Sequence, residues 1–154
     1  MDEDGNVRMV DVGHKPDTRR VAVTEAVVSL NEHTMGLLKD KALPKGDVLT
    51  TAKIAGIMAA KKTSELIPMC HPLNLSSVDI RFEIEGLDIR IECEAVTTGP
   101  TGVEMEALVG AQIAAATIYD MCKAVQRDIV IRRVRLLKKD GGRSGLFEAP
   151  ELPL

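Results

Sequence analysis

Tryptophan is absent from this 154-residue sequence, and only Phe82, Tyr119 and Phe147 are aromatic. A single-strand nucleic-acid module needs several rings on which to stack bases, so that class is excluded. There is no basic excess either. Twenty Lys and Arg against 23 Asp and Glu leave a net charge of -3, whereas a duplex-binding domain carries a positive surplus. No apolar run approaches the roughly 18 residues that cross a bilayer. The acidic start lacks the apolar stretch of a secretory signal. Cysteine is scarce: Cys70, Cys93 and Cys122 are odd in number and far apart. A disulfide scaffold is not expected, and a cytoplasmic location is. With no CxxC or HxxxH spacing, no metal site is expected.

What is present fits one soluble α+β domain: 45% apolar and 28% charged residues. Residues 1–19 read as a mobile N-terminal arm, 20–140 as a single catalytic domain, and 141–154 as a flexible Gly- and Pro-rich tail. The Val-rich run 20–29 predicts a strand. Asn31 and Asp47 predict helix caps, the second opening a helix over 48–66. Its Ala52, Ala55, Gly56 and Ala59 form a small-residue face that permits close approach. Val78, Ile80, Phe82 and Ile84 alternate with charged residues, as do Ile89, Ile91, Cys93 and Ala95. That period of two across Gly86 predicts a hairpin with one buried and one wet face. An Ala-rich helix over 103–125 and a strand over 128–137 follow. The succession of elements predicts a ferredoxin-like plait, an antiparallel sheet with helices packed on one face. The uncharged centre of the long helix implies burial against a second subunit.

Asp120 and Lys123 lie three residues apart, hence on one helix face. The spacing alone describes an ordinary ion pair. Near a buried helix end, the lysine's pKa would instead fall towards neutrality and the pair could serve as general acid and base. Pro68 and Pro72 fix a turn holding Met69, Cys70 and His71, which suits a binding loop or a structural histidine. Glu104 and Glu106 open the long helix, where acids oppose the helix dipole. Glu106 could also hold an amine edge. Lys45, Lys139 and Arg143, the last beside Gly141-Gly142, suggest a polyanionic small molecule.

Six blocks together are familiar. They are Met9-Val-Asp-Val12, the stretch from Lys45-Gly-Asp to Thr51-Ala-Lys-Ile-Ala-Gly56, Leu66-Ile-Pro-Met-Cys-His-Pro-Leu73, Thr101-Gly-Val-Glu-Met-Glu-Ala-Leu108, Ile118-Tyr-Asp-Met-Cys-Lys-Ala124 and Lys139-Asp-Gly-Gly-Arg-Ser-Gly145. In order and spacing they resemble the molybdenum cofactor biosynthesis protein C family, the cyclic pyranopterin monophosphate synthases. The resemblance implies a lyase that converts 3′,8-cyclo-7,8-dihydroguanosine 5′-triphosphate to cyclic pyranopterin monophosphate and diphosphate. It implies catalytic residues at Asp120 and Lys123, a substrate loop at Met69, Cys70 and His71, and helix-start contacts at Met105 and Glu106. It implies important lysines at Lys45 and Lys139, and a homohexamer, a trimer of dimers, with sites at subunit interfaces. No cofactor is expected beyond Mg2+ accompanying the triphosphate. Asp140 and Pro100 depart from the family pattern, which often has Ser and a basic residue there. A non-catalytic purine-nucleotide-binding module is the other class that these residues allow.

Overall fold

The computed structural model describes residues 5–153. The Val-rich run forms a long strand, β1 (Thr18–Ser29). Asn31 then takes the Thr34 amide with its side chain and starts helix α1 (Glu32–Lys39). Asp47 caps α2 (Val48–Ala60) in the same way, through the amide of Thr50. The helix expected to reach residue 66 stops at Ala60. There Thr63 Oγ1 donates to the Ala60 carbonyl at 2.9 Å, and a separate turn of helix, α3 (Thr63–Leu66), follows. The hairpin of β2 (Leu75–Glu85) and β3 (Asp88–Gly99) leads to α4 (Glu104–Cys122), β4 (Val130–Asp140) and the two-residue β5 (Phe147–Glu148).

The five strands form one sheet in the order β2-β3-β1-β4-β5, and every pairing is antiparallel. Helices α2 and α4 pack together, and α4 covers β1 and β3. Between them lies a core of small and branched residues, including Ala22, Ala26, Ile91, Cys93, Ala111 and Ile118. Their expulsion of water is the main force holding the layers. The small-residue face does bring the helices close, although the buried set is Val48, Ala52, Gly56 and Ala60, stepping by four. A Cβ on Gly56 would fall 2.7 Å from the backbone oxygen of Gly110 on α4, so this crossing accepts only glycine. Thr24 Oγ1 donates to the Ala107 carbonyl at 2.8 Å, fixing α4 against the central strand.

Burial of α4 is one-sided. Its inner residues are buried, but Ile113 is 37% exposed, and on the neighbouring α2 Ile54 and Met58 are each 55% exposed. The helical layer therefore presents apolar side chains to its outside.

The other face of the sheet has no helix. The alternation read from the hairpin holds there, with Arg81, Glu83 and Glu85 exposed. In the middle of that face sits a residue the alternation did not single out: Glu25, only 1% exposed. Arg133 and Arg135 each donate Nε to its Oε1 at 2.7 Å, and Arg90 Nε donates to Oε2 at 3.0 Å. Burial raises the Glu25 pKa, but the Arg135 hydrogen bond and the charges of Arg133, Arg135 and Arg90 outweigh it and hold the carboxyl below its ordinary value.

Candidate active site

The last turn of α4 presents Asp120 to solvent between two lysines. Lys123 Nζ lies 2.7 Å from Oδ1 and Lys45 Nζ lies 2.6 Å from Oδ2. Lys123 comes from the same helix end, and Lys45 from the Pro-Lys-Gly turn that precedes α2. Lys45 and Lys123, singled out separately in the sequence, therefore meet at Asp120. The hydrogen bond from Lys123, then that from Lys45, brings the Asp120 pKa down to about 2. The expected depression of the Lys123 pKa is not found. Its side chain is 52% exposed, and the Asp120 hydrogen bond moves its pKa up. The lysine remains solvated, so desolvation is too weak to oppose its carboxylate partner. Within one chain this is a fully charged cluster.

The first turn of α4 makes a different environment. Met69, Cys70 and His71 line a cavity of about 150 Å³ together with Glu104, Met105 and Glu106. Two blocks some thirty residues apart are therefore brought together. The turn between the prolines is closed by the Cys70 amide donating to the Ile67 carbonyl at 3.0 Å. Glu106 is 4% exposed. Burial raises its pKa, its own amide pulls the value partly back, and the charge of Glu104 adds to the rise. Burial, then the charge of Glu106, likewise raises the Cys70 thiol. Cys93 is pushed up to about 12 by burial and neighbouring carboxylates, and Cys122 to about 11 by burial.

Thr101 and Gly102 form a wall shared with a second, larger cleft of about 430 Å³. Arg143, read from the sequence, lines it beside Gly142 and Ser144. So do Lys15 and Arg20, which the sequence did not single out. Arg20 is held by the carbonyls of Gly99 and Pro100, at 3.4 and 3.3 Å. Pro100, where the family pattern often has a basic residue, thus orients a cation from β1. Asp140 Oδ1 accepts from the Gly141 amide at 2.8 Å and shapes the glycine loop. Lys139 donates to Ser144 Oγ in the same loop and pairs across the sheet with Ala22. It belongs to this end of the molecule. Within one chain, β4 runs the length of the sheet and Lys139 lies near its end, away from Asp120.

The two groups of candidate residues are consequently separated by a helix. From Glu106 to Asp120 is about 21 Å at 1.5 Å per residue. Among the described residues no group of three or more His, Cys, Asp or Glu is placed to hold a metal ion, and no helix is long and apolar enough to cross a membrane.

The MoaC family model matches residues 9–142. The chain belongs to the MoaC family. It is 66% identical over 151 residues to the cyclic pyranopterin monophosphate synthase of Nitratidesulfovibrio vulgaris, covering 97% of this chain and 94% of that relative. It is 64% identical over 154 residues to the synthase of Desulfovibrio desulfuricans, covering 99% and 94%. A more distant synthase, from Syntrophomonas wolfei, is 54% identical over 147 residues, covering 94% of each chain. The MoaC match spans both ends of α4 and the basic cleft as far as Gly142. Arg143 and Ser144 follow directly after it.

Proposed function

We propose that this MoaC-family chain is a cyclic pyranopterin monophosphate synthase, a diphosphate-releasing phosphorus–oxygen lyase of molybdenum cofactor biosynthesis. Its substrate in this reading is 3′,8-cyclo-7,8-dihydroguanosine 5′-triphosphate. The observation that carries the proposal is the pairing of an Asp120–lysine cluster with a cation-lined cleft that adjoins the Glu106 cavity. The basic cleft suits a triphosphate. Lys15, Arg20 and Arg143 line it, and Lys139, near the end of β4, donates to Ser144 on its loop. The adjoining cavity suits the guanine-derived ring, with Glu106 accepting its amine hydrogens beside Cys70 and His71.

The chemistry follows from these groups. A ribose hydroxyl forms a bond to the α-phosphorus, and the α–β phosphoanhydride bond breaks as diphosphate leaves. The cations offset the charge gathering on the leaving group. Opening the purine ring and closing the pyranopterin move several protons, which Lys123 donates and recovers with Asp120 as its partner. The protein needs no cofactor of its own, and any Mg2+ arrives with the triphosphate. The enzyme works in the cytoplasm on a small molecule, not on nucleic acid or membrane.

A single subunit holds the two halves about 21 Å apart along α4, a separation that favours a site completed by a second chain. In this reading ferredoxin-like subunits assemble as a homohexamer, a trimer of dimers with interface sites, and the exposed Ile54, Met58 and Ile113 are apolar surface available for such contacts. Purified protein given the cyclised GTP intermediate should release diphosphate. Binding without release would leave only the nucleotide-binding module.

A further inference from the structure

The C-terminal segment after β5 crosses the helix-free face of the sheet. Apolar packing contributes little there: Leu152 is 50% exposed, and a cavity of about 660 Å³ lies between the segment and the strands. Polar contacts hold it instead. The Ala149 amide donates to the Leu137 carbonyl at 2.7 Å. Arg135 Nη1 donates to the Pro150 carbonyl, and Arg133 Nη1 to the Pro153 carbonyl, each at 2.7 Å. These are the same two arginines whose Nε atoms grip buried Glu25. Each guanidinium uses one part of its fork on the carboxylate and another on the segment, a geometry that lysine cannot reproduce.

The segment is continuous with the glycine loop of the basic cleft. Loop 141–145 joins β4 to β5, and only two residue pairs close that last ladder. Gly141, Gly142 and Gly145 all have positive φ, at +100°, +76° and +60°, and within the loop the Lys139–Ser144 bond and the Gly145–Gly142 turn add to the hold of its two ends. We propose that Glu25, Arg133 and Arg135 form a latch which, by gripping the 149–153 segment, fixes loop 141–145 over the basic cleft. They are positioning residues for substrate retention, acting through Gly142, Arg143 and Ser144. The inference rests on the cleft taking the substrate's phosphates, as proposed above.

Two variants test it on the whole enzyme: truncation after Glu148, which removes the gripped carbonyls, and Arg135→Lys, which keeps the charge and loses the fork. Each should raise KM for the cyclised GTP intermediate about tenfold, as expected for a lost charge-assisted contact. Each should leave kcat within about twofold, and combining them should add nothing further. Hydrogen exchange at the Gly145 amide, which bonds to the Gly142 carbonyl at 3.3 Å, should quicken in both. Unchanged exchange overturns the latch whatever the activity. So does an unchanged KM, an effect confined to kcat, or additive effects in the double variant. If the unaltered protein releases no diphosphate, the functional reading falls, while the exchange measurement still decides the latch.

Discussion

The two ends of α4 carry the candidate chemistry, yet they are built in opposite ways. The N-terminal end is walled: Glu106 is buried, its pKa is raised, and the Pro68–Pro72 turn closes over it. The C-terminal end has no walls. Asp120 and Lys123 are about half exposed, and their pKa values move apart so that both stay charged. A walled carboxylate holds its proton to higher pH than a free one, whereas a solvated ion pair resists transferring one. Covering that end with another surface and removing its water would favour the uncharged forms of the pair and ease a proton transfer between them.

The largest effect should come from Lys123→Arg. It keeps the positive charge, but a guanidinium does not release its proton near neutral pH. Turnover should fall about 100-fold or more, with the protein's elution volume unchanged. Near-normal turnover would make Lys123 an anchor and move the acid–base role elsewhere.

A mixing experiment sharpens the contrast further. Lys123→Arg and Glu106→Gln subunits, each nearly inactive alone, can be unfolded together and reassembled. If each site takes one end from each of two chains, about a quarter of the sites regain both intact halves. Recovery near zero would mean that both ends act within one subunit and would overturn the shared site.

A smaller effect concerns stability. The folded chain holds the Glu106 proton more tightly than the unfolded chain does. Its stabilising contribution is therefore complete below about pH 4.5 and is lost as pH rises through the folded pKa. Glu106→Gln should remove this slope and raise the melting temperature at pH 7, read by calorimetry across pH 4–8. No matching slope is expected from Lys123. The smallest effect is a shift in one titration: Lys45→Ala should raise the Asp120 pKa from about 2. Lys123→Ala should raise it more, because its hydrogen bond is the stronger influence. Carboxyl carbon chemical shifts would report both.

Much of the fold was legible because its signals are local. The hairpin shows its period of two, and the caps Asn31 and Asp47 stand beside the helices they start. The break at Ala60 had no glycine or proline to announce it, since it depends on the Thr63 hydroxyl. In the candidate site, Met69 to His71 and Met105 to Glu106 were recognisable by motif. Lys15 and Arg20 were not, because one lies in a polar arm and the other at a strand's start. Arg20 gains its place only through carbonyls 79 and 80 residues away. Glu25 was equally silent. Inside a Val-rich strand it looks like an ordinary outward-facing residue, and its arginines arrive from 65, 108 and 110 residues along the chain. Long-range charge pairing leaves no periodic trace.

The burial of the thiols has a practical consequence. Cys93 and Cys122 are buried while Cys70 is only partly covered. A maleimide dye applied briefly to the folded protein should therefore attach at one position, without any cysteine having to be engineered away. That position lines the walled cavity beside Glu106. The natural sequence thus carries a single spectroscopic handle at the mouth of its own cleft, where quenching or a change in label mobility would report occupancy in real time.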